Sequence, residues 1–355
     1  MALALRLAER GRGQVSPNPM VGAVLVDPRG VVVGLGHHRR AGEAHAEIHA
    51  LRMAGLRGRD ATLYCTLEPC SHVGRTGPCC VALAGAGVRR VVAAAGDPNP
   101  LVSGRGFAYL RAHGIEVREG VLRDAAEQQN VAFFTAMRKG RPWVLAKIAT
   151  SIDGRVAAGE GQRTPLTSRD ANRAVHRLRA EVDAIAVGSE TVVVDDPELT
   201  ARGLFRDRPL MRVVFDTRLR TAPAARLFGT GAAGPVVIVT SAQADQGWQG
   251  RAAALRAAGA ELVETPAHDL RAALEALGRR EIRSVLLEGG PTLHRSALSA
   301  ALVDRVQVFV TPAVLGSRGV PWDMPPGFSL SALAGARCTP LGPDVLLECD
   351  VHGTH

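Results

Sequence analysis

The stretch GEAHAEIHAL, residues 42–51, sets His45 two residues ahead of Glu47 and four ahead of His49, where an alanine-rich run takes up helical spacing. A histidine and a glutamate this close on a helix are most often a solvated polar pair, so the stretch decides nothing alone. Its weight comes from a second stretch, TLEPCSHVGRTGPCC at 66–80, which supplies Cys70 after Pro69 and Cys79 after Pro78. Brought together in one domain of alternating strands and helices, an imidazole, two thiols and a carboxylate make the donor set of a metal centre.

Two thiolates and an imidazole suit borderline-soft zinc, and three protein ligands leave a fourth position for a water that loses its proton near neutral pH. An H-x-E element followed by P-C-x-x-C is the signature of zinc nucleobase deaminases, whose glutamate moves protons without binding the metal. Here the two cysteines stand farther apart than in that signature. Glu47 is the candidate proton carrier from the water to a ring nitrogen and then to the departing ammonia. Pro78 can open a helix whose N-terminal dipole favours a thiolate at Cys79. His72 and Cys80 remain alternative ligands at this level, and Cys65, in mid-strand, reads as core.

A chain of 355 residues is long for one core and sufficient for two domains that need neither disulfides nor a structural metal. With 46% hydrophobic and 22% charged residues it has the balance of a globular protein. Six cysteines, four of them between Cys65 and Cys80 and two at Cys338 and Cys349, form no disulfide framework and favour metal binding or catalysis. The N-terminal MALALRLAERGRG lacks the unbroken apolar run of a signal peptide and no later stretch is charge-free long enough to span a membrane, so the expected location is cytoplasmic. The net charge of +9 rests on arginines, Lys139 and Lys147 being the only lysines. These arginines are scattered and aromatics are 4% of the chain, which argues against nucleic acid as a partner and leaves small phosphorylated substrates.

Up to about residue 138 helices alternate with the strands VGAVLVD, VVVGLGH, ATLYCTL, RRVVAAAGD and IEVRE, the last helix running through AAEQQNVAFFTAM. RKGRPW marks a boundary, giving domains 1–140 and 141–355. The second contains the strands VLAKIAT, AIAVGS, RVVFD, PVVIVT, AELVE, SVLLEGG and RVQVFVTP, parallel in type and fit for a nucleotide-binding α/β domain. In EGGPTLHRS a glycine turn opens a helix, the usual place for backbone N–H groups to hold a cofactor phosphate. Lys147, between Ala146 and Ile148, alternates to the opposite face of its strand.

The segments SPNPMVGAVLV, GEAHAEIHAL, TLEPCSHVGRTGPCC, GDPNPLVSGRG and GIEV resemble the deaminase half of the bifunctional riboflavin-biosynthesis deaminase/reductases, which carry an inserted loop between the zinc cysteines. LAKIATSIDGR, VGSETVVVDDPELTAR, RVVFDT and LLEGGPTL are similar to the reductase half. The resemblance implies an N-terminal cytidine-deaminase-like α/β/α sandwich and a C-terminal dihydrofolate-reductase-like α/β domain. It implies His45, Cys70 and Cys79 as zinc ligands, Glu47 and Lys147 as catalytic residues, and Asn18 in the deaminase substrate pocket. For the reductase it implies an NADPH site at Thr150, Pro165, Thr191, Asp195, Thr217 and Gly290, Pro291, Thr292, Leu293, His294, Arg295 and Ser296. Arg163, Arg179, Leu199, Arg202 and Glu288 correspond to its substrate contacts. Two positions depart from the family: Gly77 stands for a proline, and Pro165 for a tryptophan that lines the cofactor pocket, which bears on nicotinamide affinity.

The expected function is therefore hydrolytic deamination of a phosphorylated diaminopyrimidinone with a zinc-activated water, followed by NADPH reduction of its ribosyl chain, in a homo-oligomer. A nucleic-acid deaminase with an appended domain and a non-catalytic zinc module are the rival readings. The first needs a basic, aromatic-lined channel and the second an absence of ammonia release.

Overall fold

Alternating strands and helices resolve into two units, Met1–Gly140 and Arg141–His355. The structure is a computed structural model that describes residues 1–71, 77–100, 102–204, 206–241, 247–322 and 334–351, so the alternative ligand His72 lies outside the described residues.

In the first unit a sheet is ordered β2-β1-β3-β4-β5, formed by β1 (Gly22–Val26), β2 (Val32–His37), β3 (Thr62–Leu67), β4 (Arg90–Ala95) and β5 (Glu116–Arg118). The β1 strand is antiparallel to both β2 and β3, and the remaining pairs are parallel. Helix α1 (Ala2–Ala8) covers the face bearing Val24 and Leu35. Helix α2 (Ala46–Ala54) covers the opposite face, where Ala23, Leu25, Leu63 and Cys65 are buried. This is the three-layer sandwich, completed by α3 (Cys79–Gly85), α4 (Arg105–Ala112), α5 (Arg123–Gln129) and α6 (Val131–Lys139).

The fit of α2 to the sheet depends on small residues on both sides. Ala46, Ala50 and Ala54 form one helical stripe, each at most 4% exposed. Opposite them lie Gly34 and Gly36 of β2, where a Cβ would stand 2.2 Å from the Ala50 carbonyl oxygen and 2.0 Å from that of Ala46. Only glycine admits so close an approach, and it fixes the height of the first turn of α2, where His45 is the N-cap.

The second unit holds a nine-stranded sheet ordered β11-β10-β9-β8-β12-β6-β13-β16-β15. Its strands are β6 (Trp143–Ser151), β8 (Ala184–Gly188), β9 (Met211–Phe215), β10 (Val236–Thr240), β11 (Ala260–Glu264), β12 (Ser284–Leu287), β13 (Arg305–Thr311), β15 (Ala334–Leu341) and β16 (Asp344–Asp350). A small pair, β7 (Arg155–Ala157) with β14 (Val320–Pro321), lies outside it. Helices α7 (Arg169–Glu181), α8 (Ser189–Asp195), α9 (Trp248–Ala257), α10 (Leu270–Arg279) and α11 (Pro291–Ser299) complete the unit. Ser168 caps α7 by accepting the Ala171 N–H.

Three features differ from the sequence reading. The sheet is parallel from β11 to β13, but β16 and β15 add an antiparallel hairpin that the pattern did not reveal, because Pro340 interrupts it. That proline is tolerated because β15 is an edge strand. The helix read through AAEQQNVAFFTAM is two helices broken at Asn130, whose side chain pairs both ways with the backbone of Met20. Pro78 is the N-cap of α3 rather than its first residue.

Gly36→Ala tests the seam: the added methyl forces α2 away from β2, and urea denaturation should register a loss of about 1–3 kcal/mol in the first unit. A variant of unchanged stability contradicts this packing.

Candidate metal centre and cofactor cavity

His45 ends an extended entry into α2, and its Nδ1 stands 3.4 Å from Cys70 Sγ and 3.3 Å from Cys79 Sγ. Tetrahedral zinc, with bonds of about 2.0 Å to nitrogen and 2.3 Å to sulfur, sets nitrogen and sulfur roughly 3.5 Å apart. The three side chains fit zinc, and they are the one such cluster among the described residues. Cys70 follows the end of β3 and Cys79 opens α3. The first N–H of that helix donates to Cys70 Sγ at 3.3 Å, so the helix terminus serves Cys70 rather than Cys79 itself.

Each thiol bears on the other's proton: the bond to Cys79 holds Cys70 down to about 4, while the bond to Cys70 pushes Cys79 up. A divalent cation in their midst takes the place of that proton. The bond to Cys70 raises His45. Glu47 is 3% exposed, its Oε2 has no hydrogen-bond partner among the described residues, and burial raises its pKa. Cys80 and Cys65 are fully buried in the core, and Cys80 is not in the cluster. His49 is also outside it.

Glu68, which the sequence reading passed over, is a buried carboxylate accepting the N–H groups of Asp97 (3.2 Å), Gly104 (2.9 Å), Gly106 (2.9 Å) and Phe107 (3.3 Å). It ties the segment carrying Cys70 to the GDPNPLVSGRG loop and the start of α4. An acidic residue directly before the Pro-Cys ligand was the available signal. Asn18 donates toward His38 at 3.1 Å.

In the second unit a cavity of about 1390 Å³ lies at the carboxyl ends of the parallel strands, where open α/β sheets bind ligands. Lys147, Arg163, Pro165, Thr191, Asp195, Arg202, Thr217, Glu288, Gly290, Pro291, Thr292, Leu293, His294 and Ser296 line it. Thr150, Arg179, Leu199 and Arg295 are not in its lining. Thr150 and Leu199 are buried, and Arg295 is exposed.

Arg179 is engaged by protein: Nε and Nη2 donate to the two Glu288 oxygens at 2.8 Å each, and Nη1 donates to the Thr200 carbonyl at 3.0 Å. Burial opposes ionisation of Glu288, but Arg179 and Lys147 outweigh it and its pKa is lowered. Burial lowers the pKa of Lys147, partly offset by Glu288, and its Nζ lies 5.7 Å from the Phe309 ring centre. Asn172 and His176, cavity residues absent from the sequence reading, stand on α7 at helical spacing with Arg179, a periodicity that could have found them. His294 is mainly an anchor, its Nε2 3.2 Å from the Leu287 carbonyl.

A zinc centre of the deaminase type in one unit and a ligand cavity at the strand ends of the other define a two-site enzyme. Residues 1–95 match the cytidine and deoxycytidylate deaminase zinc-binding region, and residues 142–347 match the RibD C-terminal domain. The riboflavin biosynthesis protein RibD of Escherichia coli K12 is 42% identical, covering 98% of this chain and 97% of its own length. That of Bacillus amyloliquefaciens is 40% identical, covering 98% and 94%. The solved RibD of Acinetobacter baumannii superimposes with a TM-score of 0.87 at 34% identity, over 99% of this chain and 98% of that one. A Thermotoga maritima diaminohydroxyphosphoribosylaminopyrimidine deaminase/5-amino-6-(5-phosphoribosylamino)uracil reductase gives 0.83 at 32% identity, over 99% and 97%. The chain belongs to the RibD family of bifunctional riboflavin-biosynthesis deaminase/reductases. No helix among the described residues is long and apolar enough to cross a membrane.

Burial lowers the pKa of His294 from 6.5 to about 4. The unfolded chain therefore takes up a proton that the folded chain refuses, and stability present above pH 6.5 drains away as pH falls toward 4. In denaturation at stepped pH, His294→Gln should lose less stability across that window than the parent chain.

Proposed function

We propose that the first unit hydrolyses the C2 amino group of 2,5-diamino-6-ribosylamino-4(3H)-pyrimidinone 5′-phosphate. The second then reduces the ribosyl chain with NADPH to give 5-amino-6-ribitylaminouracil 5′-phosphate. The observation that carries the reading is the convergence of both cysteine sulfurs on His45 Nδ1 beside the buried Glu47, whose Oε2 has no partner among the described residues. Zinc, held by His45, Cys70 and Cys79, supplies the Lewis acidity that activates a water. Glu47 carries one proton of that water to the ring nitrogen as its oxygen bonds to C2, then carries the second proton from that oxygen to the amine, which leaves as ammonia while the C2 carbonyl forms. Its burial keeps the carboxyl out of bulk water, and its place off the ligand set leaves it free to change protonation.

In the second unit NADPH supplies the hydride. Gly290 has no side-chain cap, and with Pro291 lacking an N–H and Leu293 and His294 donating to the Gly290 carbonyl, the backbone at Thr292 is the proposed first-turn donor to the cofactor phosphates, with Gly290 to Ser296, Thr150, Thr191, Asp195 and Thr217 as the proposed contacts. Pro165 stands at the cavity wall in place of the family tryptophan and offers the nicotinamide less stacking surface. Lys147, which lines the cavity and interacts electrostatically with Glu288, is the proposed residue that steers proton and charge at the opened sugar. Among the substrate contacts proposed, Arg163 and Arg202 supply guanidinium groups for the phosphate, Leu199 supplies an apolar contact, and Arg179 holds Glu288 in position. In the first unit Asn18 contacts the pyrimidine. A homo-oligomer in the cytoplasm is the proposed setting, for which sedimentation gives the assembly.

Two variants separate the steps. Glu47→Gln should retain zinc and lose at least about a hundredfold in ammonia release. Cys70→Ser should abolish ammonia release while NADPH oxidation on the already deaminated intermediate continues. Undiminished deamination in Glu47→Gln overturns the reading.

A further inference from the structure

His38 follows β2, is 2% exposed, and stands edge-on to His45 with ring centres 5.3 Å apart. Its Nδ1 lies 3.3 Å from the carbonyl of Ala44, and its Nε2 lies 3.1 Å from Asn18 Nδ2. A carbonyl oxygen can only accept, so Nδ1 carries the proton, and the other nitrogen of a neutral imidazole is then a bare acceptor. A bare nitrogen takes an amide N–H and repels an amide oxygen. Asn18 is thereby held with Nδ2 on the ring and Oδ1 turned away, and Oδ1 has no partner among the described residues.

The backbone of the same turn is fixed independently. Asn130 accepts the Met20 N–H at 2.7 Å and donates to the Met20 carbonyl at 2.9 Å, and the Asn18 N–H donates to the Val15 carbonyl at 3.0 Å. The side-chain amide of Asn18 is in turn oriented by the ring of His38.

We infer that His38 is a positioning residue of the deaminase site, locking Asn18 so that Oδ1 is offered as an acceptor and the site selects a heterocycle presenting an N–H donor there. The ligand's identity rests on the deaminase reading above, since ring N–H and exocyclic amino groups of a diaminopyrimidinone are such donors. A ring presenting a carbonyl at that contact would set oxygen against oxygen.

The test uses the full zinc-loaded chain. Long-range proton–nitrogen spectra of ¹⁵N-histidine-labelled protein, with His38 assigned by its loss in His38→Gln, should show Nδ1 protonated and Nε2 bare. An Nε2-protonated ring overturns the inference. In kinetics, His38→Leu should raise KM for deamination about tenfold with a smaller change in kcat and full zinc content. His38→Gln, whose amide oxygen reaches the place of Nε2, should recover most of that loss. An unchanged KM in His38→Leu, or an equal loss in both variants, overturns the positioning role. If His38→Leu fails to fold, the spectrum and a wild-type-like KM in His38→Gln still decide. A parent chain that releases no ammonia sinks the deaminase reading separately, because the spectrum needs no substrate.

Discussion

The approach of α2 to β2 is the constraint on which the metal centre depends. Backbone carbonyls of Ala46 and Ala50 occupy space that any side chain at Gly36 or Gly34 would fill, so the helix sits at one height. His45 and Glu47 then stand at fixed places above the sheet, one on each side of the helix start. The two cysteines reach the same point from other elements: Cys70 beyond β3 and Cys79 at the first turn of α3. Glu68 gathers four backbone N–H groups behind Cys70, so the loop opposite is tied to the ligand segment through one buried charge.

The two units handle buried charge differently. In the second, Glu288 is matched by the guanidinium fork of Arg179 and faces Lys147, an arrangement complete within the protein. In the first, two sulfurs and a carboxylate crowd one imidazole, an excess of negative capacity that calls for a cation. The contrast follows the chemistry proposed for each: a cofactor that brings its own hydride needs a positioned pocket, whereas amine hydrolysis needs a metal to activate water.

Much of this was readable in the sequence because local rules and tertiary structure agree. H-x-E with two Pro-Cys pairs marked the three side chains that cluster, and strand alternation marked the sheet through β13. What stayed hidden depends on distant partners. Asn130 breaks a helix because its amide is committed to Met20, far away in sequence. Arg179, which corresponds to a family substrate contact, commits its fork to Glu288, far away in sequence. The β15–β16 hairpin escaped because Pro340 is acceptable only at an edge, and edges are not visible in a sequence. The orientation of Asn18 is likewise set by a ring whose tautomer depends on a third residue.

The central claim is that one chain carries two chemically independent sites, only one of them metal-dependent. Chelating the metal from purified protein and following ammonia and NADPH separately tests it most directly. The account predicts that ammonia release stops and returns on adding zinc, while NADPH oxidation on the deaminated intermediate proceeds throughout. Loss of both activities together in a chain that remains folded would contradict it.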